Sequence, residues 1–196
     1  MARRSDHTRE ELLALALGAA EDLAEHEGLA GVTARGVARR IGYTVGTIYN
    51  VFDNLDDMIR QVNGRTLDAL HAALTASGGG GTPEQALRRL AARYSAFVKA
   101  HPRRWAAVLE YEPQSTTEPP EWYRAKTARL FALAEQAIAG FPGAADDRGR
   151  RRHAYILWSA LYGMHAVEQT AGLPKGDSLS DLVDTLIDTY VAGLRR

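Results

Sequence analysis

The chain has 196 residues and a mass of 21.4 kDa, the length of one domain or of one domain with a small appendage. At 45% hydrophobic and 24% charged residues it has the composition of folded globular proteins, which excludes disorder, collagen-like repeats and coiled-coil rods. Lys+Arg and Asp+Glu are both 24 and cysteine is absent. Bulk charge therefore names no partner, and disulfide scaffolds, thiolate metal sites and cysteine nucleophiles are excluded.

The first residues, Met1 to His7, lack the apolar stretch of a signal peptide. The longest apolar run, Leu12 to Ala20, is too short to cross a bilayer, so a cytoplasmic protein with no membrane partner is expected. Thr8 with Glu11 makes a capping box, and Leu12, Leu13, Ala16, Leu17, Ala20, Leu23 and Ala24 lay one apolar face that Gly28 ends. Thr33 can cap a short second helix with Val37, Ala38 and Ile41 inward, stopped by Gly42; Thr44 caps a third. Asn54 opens a longer helix with Asp56 and Asp57 at its positive end and Met58, Ile59, Val62, Leu67, Leu70 and Leu74 on its apolar side.

The stretch Gly78 to Gly81 is the one low-complexity segment and reads as a surface loop. Thr82-Pro83-Glu84-Gln85 restarts the chain with a cap and an N1 proline, and His101-Pro102 breaks that helix to begin a brief one. Pro113 to Pro120 reads as a loop, and another helix spans about Glu121 to Ala139. Asp146 or Asp147 opens a helix that is apolar nearly all round from Ala154 to Val167, and Ser178 with Asp181 caps the last. No segment alternates like a half-buried strand, so the fold class is all-α with about nine helices.

Function is concentrated in Thr33 to Phe52. Gly42-Tyr43-Thr44 is the short, glycine-containing turn of a helix-turn-helix. In the helix after it, Ile48, Val51 and Phe52 fall inward, leaving Val45, Gly46, Thr47, Tyr49 and Asn50 outward. Between Gly28 and Phe52 the charged residues are Arg35, Arg39 and Arg40, with no acid, and Arg3, Arg4 and Arg9 precede them. Such a helix can enter a major groove, with Thr44 toward phosphate, Asn50 pairing with adenine and Arg35 with guanine. On spacing alone, two packed surface helices without a ligand fit the same residues.

The run from Thr33-x-Arg35 through Val37-Ala38-x-x-Ile41-Gly42-Tyr43-Thr44-Val45-Gly46-Thr47-Ile48-Tyr49-Asn50-Val51-Phe52 to Leu55-Asp56-Asp57-Met58-Ile59 resembles the DNA-binding region of the TetR family of transcriptional regulators. The resemblance covers about residues 8 to 60 and implies a homodimer whose three N-terminal helices, residues 1–53, bind a double-stranded DNA operator. Residues 54–196 would then bind a small-molecule effector and the partner subunit. It places Arg35 and Val45 near bases, Thr33, Thr44 and Thr47 near phosphates, Gly46 at close backbone approach, and Tyr49 and Asn50 on the DNA face. Members commonly carry lysine at the site of Leu55 and often histidine or an aromatic at that of Val51. Without those contacts a shallower salt dependence is expected. Trp158-Ser159-Ala160-Leu161-Tyr162-Gly163 resembles the tryptophan, histidine-glycine signature of one C-terminal subclass, although an aromatic stripe is also what plain core looks like.

Aromatic residues crowd the C-terminal half. Tyr94, Phe97, Trp105, Leu109, Trp122, Phe131, Trp158, Tyr162 and His165 are the candidate effector contacts, for a hydrophobic or aromatic compound. Catalysis finds no support: the histidines stand singly, with no metal-ligand pair, phosphate loop or nucleophile elbow. Neither an enzyme nor a cofactor is expected. The last two helices are expected to form a four-helix dimer interface with a second copy. The reading is a ligand-responsive repressor on a palindromic operator; the alternative is a dimeric small-molecule-binding protein with weak or lost DNA binding.

Overall fold

Helix starts are set locally by side chains that satisfy the first free amides of each helix. The computed structural model describes residues 7–76, 80–112 and 118–195. Among them lie α1 (Arg9–Glu27), α2 (Ala34–Ile41), α3 (Val45–Ile48), α4 (Leu55–Thr75), α5 (Pro83–Ala100), α6 (Pro102–Glu110), α7 (Glu121–Ile138), α8 (Asp147–Thr170) and α9 (Leu179–Leu194), and no strand. Arg3, Arg4, Gly78, Gly79 and residues 113–117 of the expected loop lie outside the described residues.

The expected caps are formed. The Glu11 amide donates to Thr8 Oγ1 (3.2 Å) while the Thr8 amide donates to Glu11 Oε2 (2.7 Å). That bond from the Thr8 amide, together with the Thr8 side chain, holds the Glu11 carboxyl below its ordinary pKa. Thr82 with Gln85 and Ser178 with Asp181 repeat the exchange. Asn54 Oδ1 accepts from the Asp57 amide (2.8 Å), and Asp146, rather than Asp147, caps α8. Gly42 ends α2 in the left-handed conformation, φ 75°.

The chain packs as two compact units. The first comprises Met1–Asp68 and His101–Tyr123; the second comprises Ala69–Ala100 and Arg124–Arg196. The first unit's core is built on the apolar stripe of α1, with Ala16, Leu17, Ala20 and Leu23 meeting Val37, Ala38, Ile48, Phe52, Met58 and Val62. A polar lattice crosses this unit beside the core. The two oxygens of Glu21 accept from Arg104 Nη2 and Arg65 Nη1, both at 2.9 Å. Arg104 Nε donates to the buried Thr66 hydroxyl (2.9 Å), and the buried Asn63 amide donates to the Ala107 carbonyl (3.2 Å). Helices α1, α4 and α6 are thereby fixed by directional bonds as well as by packing.

In the second unit α5, α8 and α9 bury Leu87, Ala91, Val98, Leu157, Leu161, Val183, Ile187 and Val191. The 3-10 turn Pro142–Ala144 closes onto the end of α9. A Cβ at Gly143 would lie 2.9 Å from the Leu194 carbonyl oxygen, so glycine permits that close approach.

Candidate functional site

The helix-turn-helix is presented by two threonine caps. Thr33 Oγ1 accepts from the Gly36 amide (3.0 Å) and Thr44 Oγ1 from the Thr47 amide (3.3 Å). The Thr44 and Thr47 hydroxyls also bond each other at 2.9 Å, leaving both at the outer edge of α3. Helix α3 proper is one turn. After Ile48 the Asn50 and Val51 amides bond three residues back, so the chain tightens before Phe52. The inward set is Ile48, Val51 and Phe52, all buried. The outward set is Val45, Gly46 and Asn50, all exposed, with Tyr49 at 49% exposure and Thr47 half-buried.

The surroundings of this face are basic. Arg35 and Arg39 are exposed on α2, while Arg40 pairs with Asp22 at 3.2 Å. Arg9 Nε reaches across to the Asn50 carbonyl (3.3 Å), and His7 Nδ1 lies 2.7 Å from the Tyr43 hydroxyl. These two contacts tie the start of α1 to the turn and to the end of α3, a connection that residue spacing did not signal. Gly46 carries a separate message. A Cβ there would meet only Thr44 Oγ1, at 3.8 Å, so the chain's own packing does not require glycine at this helical position. Glycine inside a helix costs about 0.5–1 kcal/mol relative to alanine.

The departures at 51 and 55 have a structural counterpart. Val51 is buried, and Leu55 is partly buried against the same core cluster. Both side chains pack in the N-terminal core.

The candidate effector residues divide between the two units. Trp105, Leu109 and Trp122 lie in the first unit; Tyr94, Phe97, Phe131, Trp158, Tyr162 and His165 lie in the second. Within the second unit the Tyr94 ring is 5.1 Å from Trp158 and 5.4 Å from His165, and Phe131 is 5.4 Å from Trp158. Tyr155, absent from the sequence-based set, stacks on Phe131 at 4.2 Å; it stands one turn before Trp158. Phe97 is buried and Tyr162 is mostly outward.

Tyr94 and Trp158 line an apolar cavity of about 40 Å³ with Leu74, Leu90, Leu133 and Leu157. Ligand sites for drug-sized molecules run to about 300–1,000 Å³. This cavity accommodates such a molecule only when its walls move. His165 Nε2 lies 3.3 Å from Ser95 Oγ, and burial holds its pKa below the ordinary value against the opposing pull of Glu168. Near the N-terminal part of α4, the Tyr111 hydroxyl lies 3.4 Å from Arg60 Nη2, and burial raises both the Tyr111 and Tyr123 phenols. Among the described residues there is no cluster of metal-binding side chains, and no helix is long and apolar enough to cross a membrane.

Comparisons with known proteins agree on the class. Residues 16–62 match the model described as bacterial regulatory proteins, tetR family, and residues 87–190 match the tetracyclin repressor-like C-terminal domain. An uncharacterized HTH-type transcriptional regulator of Mycobacterium tuberculosis is 26% identical over 173 residues, covering 88% of this chain and 76% of that protein. Among solved structures, a protein of unknown function from Rhodococcus sp. RHA1 superposes with a TM-score of 0.78 at 19% identity, over 100% of both chains. A transcriptional regulator from Rhodococcus sp. RHA1 gives a TM-score of 0.69 at 21% identity, over 97% of this chain and 99% of that one. A TetR from Streptomyces coelicolor gives 0.66 at 18% identity, over 96% and 98%. These structural likenesses concern the fold.

Proposed function

The chain belongs to the TetR family, which makes it a helix-turn-helix DNA-binding transcriptional regulator, and on that premise we propose that it is a repressor released from a palindromic operator by a small apolar or aromatic effector. Residues 1–53 bind DNA, and residues 54–196 bind the effector and the second subunit. The observation that carries the reading is the outward side of α3: small and hydrogen-bonding residues beside exposed Arg35, with no acid between Gly28 and Phe52.

Val45 and Arg35 face bases, Thr33, Thr44 and Thr47 face phosphates, and Tyr49 and Asn50 complete the surface. Gly46, which internal packing does not require, allows the DNA backbone to approach closely. Dimerisation supplies the second reading head. On α8, Tyr155, Ile156 and Val167 are exposed, an apolar face that a second copy covers with its own α8 and α9. Two-fold symmetry then sets the heads about 34–36 Å apart, one helical turn of DNA. An effector held within the second unit by Tyr94, Phe97, Phe131, Trp158, Tyr162 and His165 releases DNA by favouring a different spacing through α4. The ligand must bind that spacing better, so operator and effector weaken each other's affinity equally.

The test is a mobility shift with the DNA upstream of the protein's own gene, followed by footprinting. A protected palindrome, lost in Arg35→Ala with Tyr49→Ala while the dimer persists, is the expected result; an unchanged shift refutes the recognition surface. The inward packing of Leu55 favours a second reading, a ligand-binding dimer with weak DNA affinity. Absence of any shift at low salt, with an intact dimer, selects it.

A further inference from the structure

We propose that a second, open cavity between the end of α4, the start of α5 and the end of α7 binds the anionic head of an amphiphilic small molecule, whose apolar tail points toward Tyr94 and Trp158. The inference rests on the effector reading above and gives that effector a chemical class: an acid with a hydrocarbon or aryl body.

The cavity measures about 350 Å³ and lies wholly in the second unit. Arg89, Arg93 and Gln136 supply its polar side, Leu74, Leu90 and Leu133 its apolar side, and no Asp or Glu lines it among the described residues. The same three leucines line the small cavity beside Tyr94 and Trp158, so they form a shared wall between an arginine-lined chamber and a dry one. Arg89 and Arg93 stand four residues apart on α5 and so share one face of the helix. Each donates to a main-chain carbonyl, Arg89 to Gly80 and Arg93 to Leu74 (2.8 Å). Those bonds fix the guanidinium groups in place, and each guanidinium has five N–H donors. A guanidinium offers planar, charge-assisted donors that fit carboxylate or phosphate oxygens, and two of them line this cavity. A tail leaving that head meets leucine on the far side, and swinging Leu90 or Leu133 opens the way to the inner chamber.

The test is calorimetric titration of the full chain with octanoate, octyl phosphate, 1-octanol and octylamine. One of the two anions is expected to bind at least tenfold tighter than octanol, and octylamine more weakly still. Whichever anion binds tighter names the head. Arg89→Gln with Arg93→Gln should erase the preference for the anion, each single variant should reduce it, and Lys99→Gln on the same helix should keep it. Equal binding of octanol and both anions, or a preference that survives in a folded double variant, overturns the proposal. The effector reading fails separately. Anion binding that leaves operator affinity unchanged refutes that reading while the site stands. DNA release by a neutral compound, with no octanoate or octyl phosphate binding, refutes the site while the reading stands.

Discussion

The outward sides of α3 and α8 both leave large apolar side chains in solvent, and they suit opposite partners. On α3 the exposed Val45 and Tyr49 are set among the hydroxyls of Thr44 and Thr47, the amide of Asn50 and the guanidinium of Arg35. On α8 the exposed Tyr155, Ile156 and Val167 are neighboured along the helix by Ser159, Ala160, Gly163 and Ala166. Exposure alone does not name what docks. Hydrogen-bonding and cationic flanks suit a polyanion with structured edges, whereas small apolar flanks suit another packed surface.

The sharpest way to probe this difference is within the α3 segment itself. Phe52 is 2% exposed, so Phe52→Ala is expected to cost about 3–5 kcal/mol of unfolding free energy in urea. Tyr49→Ala should change stability by no more than about 0.5 kcal/mol. Similar losses for the two would mean that the outward face is not free. Next, Ile156→Glu with Val167→Glu should weaken self-association by about 100-fold, or ~2.7 kcal/mol, in sedimentation equilibrium, because carboxylates would be desolvated in an apolar interface. Self-association that these changes leave intact would move the interface off α8.

Smaller effects refine the α3 side. Arg35→Ala should reduce operator affinity by about 1–3 kcal/mol with the fold unchanged, read by fluorescence anisotropy at fixed salt. Loss of the α3 cap in Thr44→Ala should cost about 1 kcal/mol of stability, and operator affinity should fall with it. The smallest effect is a pH response of the second unit. His165 is held below its ordinary pKa of 6.5 by burial beside Tyr94 and Ser95, so the unfolded chain takes up that proton first. Its contribution to stability is complete above about pH 6.5 and is lost as pH falls through the lowered value. Thermal melts between pH 8 and 5 should show that slope, and His165→Gln should flatten it.

Local features were legible in the sequence because their causes are local. Thr8 with Glu11, Thr82 with Gln85 and Ser178 with Asp181 each act within three residues, and all three exchanges are present. The inward and outward sides of the α3 segment follow from helical spacing, although the segment tightens after Ile48 earlier than the spacing suggests. Long-range pairings left no such trace. Glu21 meets partners 44 and 83 residues away, and nothing in the composition distinguishes Arg65 or Arg104 from the other arginines. The division of the aromatic set was equally hidden. Trp105 and Trp158 look alike in a hydrophobicity pattern, yet α6 packs with α1 while α8 packs with α5 and α9. Arg89 and Arg93 read as ordinary surface charge until the loop carbonyl of Gly80 and the end of α4 are brought beside them.

The forked carboxylate of Glu21 binds the fates of positions 21, 65 and 104 together across evolutionary time. Losing the acid alone would break two charge-assisted bonds at once, and losing one arginine alone would still leave a pair. Descendants of this gene should therefore shed an arginine first and the glutamate last, a directional order of replacement that an ancestral reconstruction can read.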